Sequence, residues 1–131
     1  MDSRPEIDYE HLLVGEAIPV AVPLDIAQAA VEQWLEDQEN AYNRSHRGEP
    51  QADFYFDDGQ YVMLQPLSPL ITLEIREVDE DNSLVVCGCV LATDIGYLDT
   101  EETDRLMTRL ASVASQTARV IRDDWSSYEI S

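Results

Sequence analysis

Two cysteines one residue apart, Cys87-Gly88-Cys89, and two histidines, His11 and His46, are the residues best suited to metal or nucleophile chemistry. A zinc site needs convergent spacing of the C-x-x-C or H-x-x-x-H kind, and neither pattern occurs, so no metal is expected. In a strand the two thiols stand roughly 6.6 Å apart on one face, beyond disulfide geometry. They read as free, inert thiols in a reducing compartment. Asp79-Glu80-Asp81-Asn82-Ser83 opens like a calcium loop, but Leu84 stands where glycine belongs and Val90 where a bidentate glutamate belongs. A solvated acidic hairpin is the better reading. There is no G-x-S-x-G, and the absence of lysine excludes Ser-Lys chemistry and a P-loop. The carboxylate pairs Asp57/Asp58, Glu101/Glu102 and Asp123/Asp124 read as surface groups rather than buried general acids. No catalytic residue, no cofactor and no enzymatic activity are expected.

Charge narrows the partners further. Within 131 residues there are 27 acidic side chains against 8 basic ones, all arginine, for a formal net charge of −19. That field disfavours nucleic acid and anionic membranes and favours a basic partner. A GC-rich genome or a salty cytoplasm would produce the same acidity without any partner. The opening M-D-S-R-P-E carries no apolar h-region and no run reaches membrane-spanning length, so a cytoplasmic location is expected.

These residues are positioned by a chain whose least polar stretch is Leu84–Thr93. Leu84, Val86, Gly88, Val90 and Ala92 fall on one side, and Val85, Cys87, Cys89, Leu91 and Thr93 on the other. A strand apolar on both sides must be covered on both. Before it, Leu70–Val78 alternates Ile71, Leu73 and Ile75 against Thr72, Glu74 and Arg76. A simple hairpin closed by Asp79–Asn82 places Ile75 opposite Val86, Ile71 opposite Val90, Glu74 opposite Cys87 and Thr72 opposite Cys89. A half-polar surface then adjoins an apolar strand face, a face expected to await another polypeptide.

Earlier still, Asp53–Asp57 and Gln60–Leu64 flank Asp58-Gly59, a strong hairpin signal that pairs Phe56 with Tyr61 and Phe54 with Met63. The aromatics Phe54, Phe56 and Tyr61, with Trp34 and Trp125, read as core. A helix is expected from Asp25, its N-cap, to about Asn43, burying Ile26, Ala30, Val31, Trp34, Leu35 and Tyr42 and turning Glu32, Glu36, Asp37 and Glu39 to water. A second helix runs from Thr100 to about Asp124, capped by Asp99 and burying Leu106, Leu110, Val113, Ala114, Thr117, Ile121 and Trp125. Ala111, Ser112, Ser115 and Ala118 form a small-residue flank along it. Pro19 and Pro23 break the apolar stretch His11–Leu24, which reads as an extended segment or edge strand docked on the chain's own core or on a second copy. The expected organisation is an N-terminal extended segment (1–23), one α+β domain (24–125) and a polar tail (126–131). The domain is a four-stranded antiparallel meander flanked by an N-terminal and a long C-terminal helix.

The strand Ser83–Thr93, the Ile95–Leu98 link and the amphipathic run Asp99–Ala114 (DTEETDRLMTRLASVA) resemble the small acidic chaperones of type III secretion and the YbjN-like proteins that share their fold. The resemblance covers roughly Asp53–Trp125 and departs from the chaperones in leaving no room for a middle helix. It implies a non-enzymatic, chaperone-like homodimer that binds an extended segment of another protein by strand addition or groove binding. The partner- or dimer-binding residues expected on this basis and from the surplus apolar face are Val85, Cys87, Cys89, Leu91, Ala111, Ser115 and Ala118. The expected acidic surface comprises Asp57, Asp58, Glu77, Asp79, Glu80, Asp81, Glu101, Glu102 and Asp104. The alternative is an acidic inhibitor, an immunity protein or DNA mimic, which requires folding to align those carboxylates.

Overall fold

A computed structural model of the chain describes Ile7, residues 9–66, 68–91 and 99–125, and the helical backbone on to Ile130. The expectations for Ala92, Thr93 and the Ile95–Leu98 link lie outside the described residues. In chain order, a 3-10 turn (Tyr9–His11) leads to β1 (Leu12–Val14), β2 (Ile18–Val20), α1 (Leu24–Ser45), β3 (Asp53–Asp57), β4 (Gln60–Leu64), β5 (Leu70–Asp79), β6 (Asn82–Val90) and α2 (Thr100–Ile130).

The fold is α+β, with one antiparallel sheet and two helices. The β3–β6 meander forms as its alternation predicts, but among the described residues the sheet has six strands rather than four. The two additional strands come from the proline-broken segment: β1 pairs with β6 from Leu12↔Val90 to Val14↔Gly88, and β2 from Ile18↔Val85 to Val20↔Ser83. Pro19 is tolerated because β2 is an edge strand and needs no outward amide. With β5 on its other side, β6 is an interior strand, which explains its lack of charge.

The register of β5 on β6 corrects the simple hairpin by one residue. Ile75 pairs with Val85, Leu73 with Cys87 and Ile71 with Cys89, whereas Thr72 meets Gly88, Glu74 meets Val86 and Leu70 meets Val90. The shift arises at Val78, an extra residue between the pairs Glu77↔Ser83 and Asp79↔Asn82. One bulged residue exchanges the two faces of a strand. The observed choice is also the better packed one. It puts Val85 and both cysteines in the core cluster with Ile71, Leu73 and Ile75, and it turns Gly88 to the outer face. There a Cβ on Gly88 would stand 2.8 Å from Leu12 Cδ1 and 3.2 Å from Thr72 Oγ1, so a larger residue would require the Leu12 side chain to move.

Both helices cover the same face. α1 contacts β3, β5 and β6, α2 contacts β2 and β6, and the two touch each other. Small residues, Ala27 and Ala30 on α1 with Ala114 and Ala118 on α2, belong to the shared core. Helix α1 begins differently from expectation. Pro23, at φ −58°, occupies the N-cap without any side-chain cap, and Asp25 lies in the first turn, where it favours the helix dipole. Asp99 caps α2 as expected, its Oδ1 accepting the Glu102 amide at 2.7 Å. That helix continues past the expected end near Asp124, to Ile130. Among the described residues, no helix is long and apolar enough to cross a membrane.

The outer face is buried only in part. Val62, Thr72 and Val86 are buried there, and Leu12, Leu64, Leu70, Leu84 and Val90 are half-buried. Among the described residues, the exposed large hydrophobics are Val14, Phe56 and Val78, on different strands. On the helix side, Val85, Cys87 and Cys89 of β6 are enclosed by the subunit's own core, so the expected surplus face does not lie there.

Candidate binding groove at the edge strand

Glu32, Leu35, Glu36 and Glu39 recur at three-to-four spacing and share one side of α1. Opposite them runs β3, which among the described strands pairs with β4 alone and lies at the edge of the sheet. Its sequence D-F-Y-F-D sends Phe54 and Phe56 toward the helices, in line with Tyr61 of β4. These side chains line a groove of about 310 Å³ between α1 and the edge strand, with Leu35 at its base.

Several contacts fix the groove. The Asp58-Gly59 turn closes β3 on β4 with positive φ at both residues, 48° and 80°, as a two-residue hairpin turn of matching twist requires. At the other end of β3, Asn43 donates through Nδ2 to the Ala52 carbonyl at 3.2 Å and accepts the Ala52 amide on Oδ1 at 2.8 Å. A side chain here imitates a backbone partner and holds the return from α1 to the sheet. Tyr42 and His46 stack at 3.9 Å beneath that return. Tyr9, preceding β1, donates from its hydroxyl to Asp57 Oδ2 at 2.8 Å, tying the N-terminal turn to the far end of β3.

Inside the groove the three glutamates differ. Glu32 accepts a hydrogen bond from the buried Tyr61 hydroxyl at 2.9 Å, and burial with that carboxylate beside it pushes the Tyr61 phenol well above its ordinary range. Glu39 accepts the Phe54 amide at 2.6 Å, occupying one outward donor of the edge strand. Glu36 lines the groove between them and is exposed. Phe56 is 59% exposed and meets Tyr61 edge-on with ring centroids 5.0 Å apart. By the alternation that turns the Phe54 amide outward, the Phe56 amide and carbonyl also point away from the sheet. The reading of Phe56 as core is thus corrected. An aromatic face, a pair of edge backbone groups and carboxylates within one helical turn can together hold a cation carried on an extended chain.

The residues expected to bind a partner fall elsewhere. Val85, Cys87, Cys89 and Ala118 are at most 1% exposed, within the subunit's own core, and Leu91 is half-buried. Burial pushes the Cys87 thiol up to about 12 and raises that of Cys89, so both remain protonated and unreactive at neutral pH. Ala111 and Ser115 are exposed on α2. No group of three or more His, Cys, Asp or Glu suited to a metal ion occurs among the described residues. The acidic residues Asp57, Asp58, Glu77, Asp79, Glu80, Asp81, Glu101, Glu102 and Asp104 are all exposed. Chain direction separates them: the β3–β4 and β5–β6 turns lie at one end of the sheet, whereas α2 starts after β6 has crossed to the other. They do not form one row. Glu36 and Glu39 were read only as water-facing, yet their helical spacing beside an aromatic edge strand is the signal that could have located the groove.

No family model matches the chain, and no curated protein matches it either. Two solved structures are similar in part. One is the exocytosis-sensitive phosphoprotein pp63/parafusin, a phosphoglucomutase from Paramecium in its open form, at 7% identity and a TM-score of 0.48; the match covers 86% of this chain and a fifth (20%) of that one. The other is the ZhuI aromatase/cyclase from Streptomyces sp. R1128, at 12% identity and a TM-score of 0.37, covering 86% of this chain and 92% of that one. Likeness at this level carries neither a fold assignment nor an activity.

Proposed function

We propose that this chain is an acidic protein-binding module that holds an extended, basic segment of a partner protein in the groove between α1 and β3, with no chemistry of its own. The observation that carries this reading is the free edge of β3 at Phe56, where an exposed aromatic ring adjoins the glutamate row of α1. Edge backbone groups supply main-chain pairing and the groove supplies side-chain contacts, the two parts of strand-type recognition. The net charge of −19 steers a basic segment inward and repels acidic competitors. Self-pairing of β3 is opposed by the same charge. Antiparallel pairing of two copies about Tyr55 would set Asp53 of each against Asp57 of the other.

Titration of the ¹⁵N-labelled chain with a basic extended peptide and with an acidic one of the same pattern tests the reading. The basic peptide is expected to move amide signals of residues 32–39 and 54–57. Its binding should weaken several-fold as salt rises and the screening length falls from about 10 Å at 0.1 M to about 3 Å at 1 M. Shifts centred instead on the Ala111 and Ser115 side of α2, or none at all, would overturn it.

A further inference from the structure

Resting on that reading, we propose that the groove selects a single arginine side chain, its guanidinium lying on the Phe56 ring between Glu32 and Glu36. Glu32 and Glu36 are one helical turn apart, about 5–6 Å between their Cβ atoms, and a guanidinium between them offers each carboxylate a planar pair of donors, whereas an ammonium offers only single ones. Tyr61 engages Oε1 of Glu32 and not Oε2, while Glu36 makes no hydrogen bond or ion pair among the described residues. The Phe56 ring is the accessible aromatic face, and Tyr61, against its edge, holds it in place. Guanidinium is flat and weakly hydrated, so it stacks on such a ring at lower desolvation cost than an ammonium.

The backbone limits recognition to one residue. Glu39 already occupies the Phe54 amide, so main-chain pairing along the edge is confined to Phe56. The segment's residue beside Phe56 pairs there and directs its side chain either to the helix side or to the outer face. Arginine in that register enters the groove, and its two neighbours point to the other side of the sheet. The site therefore reads one arginine flanked by residues whose identity it does not test.

Calorimetric and NMR titration with a capped seven-residue threonine–valine peptide bearing one central arginine, and with its lysine and citrulline versions, tests this. The arginine peptide is expected to bind about fivefold more tightly than the lysine one, and the citrulline peptide to lose about tenfold or more. Glu36→Gln should weaken the arginine peptide about tenfold, and Phe56→Leu about threefold, with unfolding midpoints near the parent's. Equal affinity for arginine and lysine peptides, with the same groove signals shifted, would overturn the arginine assignment and leave the groove as a general basic-segment site. If no peptide shifts groove signals, the binding reading itself fails.

Discussion

The interior strand β6 and the edge strand β3 distribute their hydrophobic residues in opposite ways. β6 has no charged side chain, pairs on both edges, and carries Val85, Cys87 and Cys89 at 0–1% exposure beneath the helices. β3 begins and ends in aspartate, pairs on one edge, and leaves Phe56 uncovered next to glutamates. The oilier strand turns Val85, Cys87 and Cys89 into the subunit's own core, where a partner does not reach them. The strand with mixed composition retains unspent backbone groups, an aromatic face and nearby charge. The proposed recognition site lies where burial is incomplete.

That contrast predicts a large asymmetry between the two strands. Cys87→Asp would bury an unpaired carboxylate, a cost of several kcal/mol set against a total stability of about 5–15 kcal/mol for such a domain. The variant is expected to show no cooperative thermal transition. Phe56→Ala removes an exposed ring with one edge contact, and its stability should stay within about 1 kcal/mol of the parent. Circular dichroism melts of both variants decide the matter. A folded Cys87→Asp beside a collapsed Phe56→Ala would reverse the roles assigned here.

A smaller effect follows from the thiol of β6. The pKa of Cys87 stands at about 12 in the folded chain, against an ordinary thiol near 8.5. Below the ordinary value both folded and unfolded chains hold the proton, and the thiol adds no pH dependence. Above it the unfolded chain releases the proton while the folded chain keeps it, so stability falls as pH rises. The slope approaches about 1.4 kcal/mol per pH unit until the folded value is reached. Denaturant midpoints of the parent and of Cys87→Ala between pH 8 and 10 should diverge, with the parent losing more. Parallel pH profiles would mean that the β6 thiol is not enclosed. Peptide binding at the β3 groove, which holds no cysteine, should stay level across the same window.

Much of this contrast was legible before any fold was known, and the missing part has a definite physical source. The Asp58-Gly59 hairpin, the Phe56–Tyr61 and Phe54–Met63 pairs, the Asp99 cap and the burial of Leu110, Ala114, Thr117 and Ile121 on α2 all follow from local patterns, and the structure contains each of them, with Leu106, Val113 and Trp125 half-buried. The β5–β6 register does not, because a single bulged residue at Val78 inverts both faces and leaves no compositional mark. The N-terminal strands span three residues each, too few for alternation to declare itself. The exposure of Phe56 was hidden for another reason. Alternating aromatics look the same on an edge strand and an interior one, and edge position is decided by which strands fail to pair with β3. For the groove, the sequence showed its parts, glutamates at helical spacing and a D-F-Y-F-D strand, without their juxtaposition.

The smallest effect tests the remaining half of the contrast, whether β6 and its neighbour are dry on the face away from the helices. Thr72 of β5 lies there opposite Gly88, with 0% exposure and no hydrogen-bond partner for Oγ1. A buried hydroxyl without a partner costs about 1–3 kcal/mol relative to a methyl group in the same place. Thr72→Val keeps the branched shape, so removal of the hydroxyl should raise stability by about 1 kcal/mol, read as a higher urea midpoint at unchanged slope. Loss of stability in this variant would mean that water reaches the hydroxyl and that the outer face is open. In that case enclosure would no longer account for the apolar character of β6 on that side, and its outer residues would regain a claim to a partner. A gain leaves β3 as the strand to which the proposed function assigns the partner.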